Sequence, residues 1–388
     1  MKVEQNISRL RYLLSLYKMS ERDLLSYINE VKPSLAKPIT LDQIFSDKIN
    51  LSHLKRVDKV FNKGLHFYLD PKSPEVSQDA SIFFRKNKFG TDLNIGAKKI
   101  VNQFEELKIS LSALAKLADI NLNRTLPVYR LSDPPRDIAN LLRKDFYPTF
   151  DADKRGFLKA LIGKFAENNI LVFEFIETWN KIEKANIDGF FLNPNVVVLK
   201  RQQTSFRREI FTLIHELGHF LLNEEEIEQL DVVNLASSNL SAVEKWCNDF
   251  AYFFLAGDFD NLMEKINIVD STNDYHSKII RYISENTHLS QIALYTRLLF
   301  QNKISITNYN KIKTAEEERF REIQEEEKKK RELERLQGIK QGGSTPKPIN
   351  SPLLISTIQT AFYEGLINEF DVCKSLNISP DKLYVYLG

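Results

Sequence analysis

Cysteine is nearly missing from this 388-residue chain: only Cys247 and Cys373 occur, far apart. Two distant thiols cannot build a disulfide framework, and they fit a reducing cytoplasm. Histidine is almost as scarce, six in all. An excess of either charge is lacking too, since 54 basic residues stand against 52 acidic ones for a net charge of +2. That balance excludes a chain that coats nucleic acid or membrane as a polyelectrolyte, although local patches stay open. No stretch holds eighteen uncharged apolar residues, so no membrane span is expected. The opening MKVEQNISRLRYLLSLYKMSERDLL carries charges throughout, which excludes a signal peptide. A soluble, cytoplasmic protein is expected.

What is present is ordinary globular composition, 43% hydrophobic and 27% charged. At this length two or three domains are expected, because a single core rarely grows past roughly 250–300 residues. Residues 1–75 read as a helical, helix-turn-helix-like module. Ile7, Leu10, Leu13, Leu14 and Tyr17 share one helical face, Ser20 is an N-cap, and a further helix runs from about 51 to Gly64. Such a module either binds DNA through residues 1–70 or only packs. The stretch from Lys32 to Ile49, with Pro33 and Pro38, is a poor recognition helix.

Residues 76–168 form a helical connecting region, with Pro135 well placed to start a helix. ILVFEF (170–175) and IDGFFLNPNVVVLK (187–200) read as strands, the second folded on Asn193-Pro194-Asn195. A strand pair followed at once by a helix makes a mostly helical α+β fold, with its core over 169–310. Residues 311–340 read as a solvated charged helix with i,i+4 pairs such as Glu325–Lys329 and Glu327–Arg331. Its apolar residues are too sparse for a coiled-coil seam. Residues 341–352 are linker by composition. In the final helical module, 353–388, Leu354, Ile358, Ala361 and Phe362 share a face that serves packing or a partner.

Two of the six histidines sit four apart in the apolar run REIFTLIHELGHFLLN (208–223). A core helix does not bury imidazoles and a carboxylate without compensation, since unpaired polar groups are costly there. Residues four apart on a helix are offset by about 40°, so His215 and His219 leave the same face and can reach one zinc ion. Glu216 lies about 100° round the helix, where it can act as general base on a metal-activated water. The bland alternative is a pair of core histidines bonded to neighbouring carboxylates.

A catalytic zinc needs a third protein ligand and an open position. LSAVEKWCNDFAYFFLAG (240–257) is the best source: Val243, Trp246, Cys247, Phe250, Ala251 and Phe254 form a buried stripe, with Glu244 on its edge. Glu224, Glu225, Glu226, Glu228 and Asp231 compete by residue type, but a polar loop should leave them solvated. Cys247 is a chemically plausible third ligand, but as the sole thiol in a buried stripe it reads as a packing residue, small enough to let this helix approach the first. Asn248 is placed to orient a ligand or to pack. Tyr252 and His276 fit an oxyanion stabiliser by type alone.

The motifs RREIFTLIHELGHFLL and EKWCNDFA, in this order and separated by an acidic loop, resemble the ImmA/IrrE family of zinc metallo-endopeptidases. The resemblance spans about 187–257, and LSQIALYTRLL resembles the family's following helix. It implies a zincin-like core, one Zn2+ per chain held by His215, His219 and Glu244, and Glu216 as catalytic residue. FFLAG departs from the family's frequent proline after the second helix. The N-terminal segment resembles a diverged XRE-type helix-turn-helix. Family resemblance further implies a regulatory protease whose substrate is a co-encoded repressor, acting in mobile-element, stress or defence control. Two other classes stay open: a DNA-binding regulator with a non-proteolytic zinc site, and a toxin–antitoxin or defence component acting through protein association.

Overall fold

The computed structural model describes residues 1–30, 38–74, 93–177, 184–201, 206–226, 241–337 and 347–387. The chain divides into two compact units, Met1–Glu106 with Glu183–Asn186, and Leu107–Ile182 with Ile187–Gly388. Among the described residues no helix is long and apolar enough to cross a membrane.

In the first unit, strands β1 (Lys2–Glu4) and β2 (Lys48–Asn50) pair antiparallel, Val3 opposite Ile49. The sequence pattern anticipates only helices here, because three-residue strands are too short to show alternation. Helices cover Ile7–Leu16, Glu21–Glu30, Leu41–Ile44, Leu51–Phe61 and Leu65–Leu69. Leu10, Leu13, Leu14 and Tyr17 are buried as their spacing requires, and Tyr17 meets Phe61 edge-on at 5.1 Å. Ser20 accepts from the backbone N–H of Asp23, capping the second helix. The helix expected to reach Gly64 stops at Phe61, since Asn62 adopts the left-handed conformation at its C-cap.

The second unit is built on a three-stranded sheet, order β3-β5-β4. β5 (Val196–Arg201) sits in the middle, parallel to β3 (Leu171–Ile176) and antiparallel to the edge strand β4 (Gly189–Leu192). Almost every residue of β4 and β5 is buried, so they read as continuous apolar runs rather than alternating ones. The helix Phe206–Leu222, here the histidine helix, packs on β4 and β5 and against the helix Ala242–Ala256. Phe191, Val197 and Leu199 join Leu213, Leu217 and Phe220 in the same core cluster. Pro135 opens the helix Pro135–Phe146 as expected, and Asp153 caps Lys154–Glu167 through the N–H groups of Arg155 and Gly156.

One buried ionic node fixes the start of the histidine helix. Arg201, fully buried at the end of β5, donates to Glu209 at 2.9 Å and to Glu174 of β3. Glu174 also accepts the backbone N–H groups of Ile349 (2.9 Å) and Asn350 (2.7 Å). The end of the segment read as linker is thereby tied to the sheet, and the helix Pro352–Tyr363 packs on β3 and on Lys154–Glu167. Leu354, Ile358 and Ala361 are buried there, with Phe362 partly covered. The face flagged by periodicity is a packing face. The charged helix, Ile306–Leu336, is mostly exposed, with Glu327 and Arg331 at 3.9 Å. Such a pair contributes only a few tenths of a kcal/mol.

His288 is a buried histidine that periodicity gives no reason to single out. Its ring lies 3.9 Å from the Phe157 centroid and 5.0 Å from that of Phe150, and its Nε2 has no hydrogen-bond partner. Burial first, then the charges of Arg207 and Lys154, push its pKa down to about 4 against a small upward pull from Asp151. Between the ordinary value of 6.5 and about 4, the unfolded chain therefore binds more protons than the folded one. Stability from this group is present above about pH 6.5 and is lost as pH falls through that window. Chemical denaturation from pH 7 to 4 should show His288→Phe losing less stability than the wild type; parallel profiles would contradict this.

Candidate metal centre

The histidine helix buries thirteen of its residues, including Glu209, His215, Glu216 and His219. The second helix supplies Glu244 in its first turn, where Ser241 caps the helix by accepting from the Glu244 N–H at 3.0 Å. The two helices cross with almost no space between them. A Cβ on Gly218 would lie 3.1 Å from Cα, Cβ and Sγ of Cys247, so glycine on one side and a small residue on the other set the approach. Gly189 does the same for the edge strand, since a Cβ there would meet Thr212 at 2.7 Å and Glu216 at 3.2 Å.

These close approaches bring three donors together. His215 Nε2 and His219 Nε2 face each other at 3.1 Å. Glu244 spans both, with Oε2 3.2 Å from His215 Nε2 and Oε1 3.1 Å from His219 Nε2. All three side chains are buried, and they form a group able to hold a metal ion. The separations suit zinc: ligands at 2.0–2.1 Å in a tetrahedron lie roughly 3.3–3.4 Å apart. Glu244 Oε1 forms no aligned hydrogen bond despite its nearness to His219, which leaves a buried carboxylate oxygen short of a partner. A cation among the three donors satisfies it.

The ring of His219 is oriented from behind. Its Nδ1 lies 3.2 Å from the Glu224 carbonyl, so the Nδ1–H donates outward and Nε2 is the atom turned toward Glu244 and His215. Burial alone would raise the Glu244 pKa, but His215 and His219 outweigh it and hold the carboxyl well below its usual range. Glu216 sits beside the group with Oε2 unpartnered. Burial pushes its pKa up to about 7; His219 and His215 pull downward, and Glu244 and Asp188 add to the rise. A buried carboxylate beside the three donors is placed to move a proton at whatever they bind.

The other candidates stand outside the group of three. Cys247 touches His219, but burial drives its thiol up to about 11 despite the opposing pull of His219, and it fills the crossing with Gly218. Asn248 is half-buried and makes no hydrogen bond to the three donors among the described residues. Tyr252 donates to Asp260 at 2.7 Å, and His276 Nε2 lies 2.9 Å from the Ile268 carbonyl; both are engaged with partners outside the donor group. Glu224 is exposed and Glu226 accepts from Ser241, but Glu225 is buried, contrary to the solvated loop expected. Glu228 and Asp231 lie outside the described residues. Sequence reasoning also missed Asp188, buried, paired with Arg208 at 2.8 Å and acting on Glu216. Nothing local marks it, because the sheet alone brings it near.

The departure in FFLAG has a packing reason. Gly257 takes φ +51°, and a Cβ there would collide with the Arg143 guanidinium at 2.7 Å. Arg143 donates to the Phe254 carbonyl and stacks 3.6 Å over Tyr147. Helix termination passes from a proline to a glycine that makes room for an arginine.

His215→Ala, His219→Ala and Glu244→Ala should each drop zinc content from about one per chain to near none, while Cys247→Ser keeps it. Elemental analysis of the purified proteins decides this. Zinc lost from Cys247→Ser but retained by Glu244→Ala would exchange the two roles.

A family model, Peptidase_M78, the IrrE N-terminal-like domain, matches residues 175–259. No curated protein and no solved structure gives a significant match. The matched segment runs from the end of β3 past the second helix and contains the whole donor group, so over these residues the chain is similar to metallopeptidases of the ImmA/IrrE type.

Proposed function

We propose that this chain is a zinc-dependent endopeptidase with a regulatory role, hydrolysing a specific protein partner such as a helix-turn-helix repressor. The observation that carries the reading is the buried His215–His219–Glu244 group with an unpartnered Glu216 carboxylate beside it, inside the segment matched by the peptidase family. His215, His219 and Glu244 would hold a zinc ion, which would supply Lewis-acid chemistry to water and to the scissile carbonyl. Glu216 then takes the proton of the attacking water and delivers it to the leaving amide nitrogen. Ile214, Leu217, Phe220 and Leu221 bury the rest of the helix in the core, which holds the donors on a fixed backbone.

Glu216→Gln should retain about one zinc per chain and lose cleavage of the co-encoded repressor by about 10²–10⁴-fold, the usual worth of a positioned general base. Gel assays of purified repressor with the wild type and the variant provide the comparison. Full proteolysis by the Gln variant would remove Glu216 from the chemistry, and intact repressor with the wild type would remove that substrate.

A further inference from the structure

Where the histidine helix ends, the chain folds back on its own metal-facing residue. Asn223 adopts the left-handed conformation (φ 55°), and its N–H donates to the Phe220 carbonyl at 3.0 Å. The Glu224 N–H donates to the His219 carbonyl at 3.0 Å, and the Glu224 carbonyl faces His219 Nδ1 at 3.2 Å. Residue 224 thus grips residue 219 twice, once at the backbone and once at the ring. The grip depends on where the Glu224 carbonyl points, and Glu225 follows directly.

Glu225 does not turn to solvent. It is 6% exposed, and its Oε1 accepts the backbone N–H of Asn193 at 2.8 Å. Asn193 is the first residue after β4, in the turn that leads into β5. That turn is held in its own right. Lys108 Nζ donates to the Asn193 carbonyl at 2.8 Å, and the Asn195 amide donates to the carbonyls of Leu122 (2.8 Å) and Asn169 (2.7 Å). A fixed turn therefore anchors the buried Glu225 carboxylate.

We propose that Glu225 is a positioning residue for His219: by tying the helix exit to the β4–β5 turn, it holds the Glu224 carbonyl against Nδ1 and fixes the ring tautomer that presents Nε2 to the metal. The inference rests on the zinc reading and extends it to a residue outside the H-E-x-x-H and Glu244 set. The chemistry is general: a ligand histidine donates its far ring N–H to an acceptor, and loss of such an acceptor costs about 10–100-fold in metal affinity. Here the acceptor is a backbone carbonyl that mutation cannot delete, so the residue that aims it is the one to change.

Two arms separate this role from plain loop stabilisation. In the first, zinc affinity of the full chain is measured by competition with a chromophoric chelator. Glu225→Ala should weaken zinc about 10–100-fold, whereas Glu225→Gln, which keeps an acceptor for the Asn193 N–H, should stay within about threefold of wild type. In the second, long-range 1H–15N NMR of the metal-free protein reads the His219 tautomer. Whether or not Nε2 carries a proton, the Nδ1–H should be a single exchange-protected resonance in the wild type and the Gln variant, and exchanging or mixed in the Ala variant. An Ala variant that melts lower yet keeps wild-type zinc affinity and the Nδ1–H tautomer would overturn the proposal. Failure of the wild type to bind zinc would sink the metal reading by itself, while the tautomer arm would still decide whether Glu225 orients the ring.

Discussion

Everything in the second unit turns on three electron-pair donors, two imidazoles and one carboxylate, held 3.1–3.2 Å apart out of contact with water. Without a shared positive charge such a group is a liability, because a buried carboxylate with an unpartnered oxygen pays its full desolvation penalty. A divalent cation reverses the sign of the interaction and makes the same burial favourable. Binding of such a cation would therefore be coupled to folding of this region, as in other sites assembled from elements distant in sequence. The closeness of the two helices follows from the same demand. Gly218 against Cys247 lets Glu244 reach two histidines that belong to another helix.

The scaffold around the donors immobilises the histidine helix at both ends. At its start Arg201 links Glu209 to Glu174, and the backbone of residues 349–350 closes the same carboxylate. At its end the Glu224 carbonyl meets His219 and Glu225 binds the turn of the sheet. Between them Gly189 allows the edge strand to lie against Thr212 and Glu216. Two of the three donors lie on this one helix, pinned fore and aft, so their spacing is fixed before the third arrives from the neighbouring helix. That arrangement favours preorganised chemistry over induced assembly.

How much of this was legible in the sequence differs residue by residue. His215, Glu216 and His219 could be read directly, because helical period alone places two of them on one face and polar groups in an apolar run need a reason. Glu244 required a second step, finding a carboxylate on the edge of a buried stripe. The hairpin from 187 to 200 was readable from its turn, but the central position of β5 was not, since pairing partners are long-range. Asp188, Glu225 and His288 gave no local signal. Each looks like a polar residue beside an apolar element, and only the tertiary fold shows that the sheet, the β4–β5 turn or two phenylalanine rings enclose it. The short β1–β2 pair escaped for want of length, and the docking of residues 349–350 on Glu174 for want of any pattern at all.

The central claim is that one cation sits among His215, His219 and Glu244. Anomalous diffraction at the zinc edge from crystals of the full chain tests it most directly. The account predicts a single strong peak about 2.0–2.1 Å from both Nε2 atoms and within reach of Glu244. A zinc-supplied crystal with no peak there, or with the metal held elsewhere and a proton shared between imidazole and carboxylate, would contradict it.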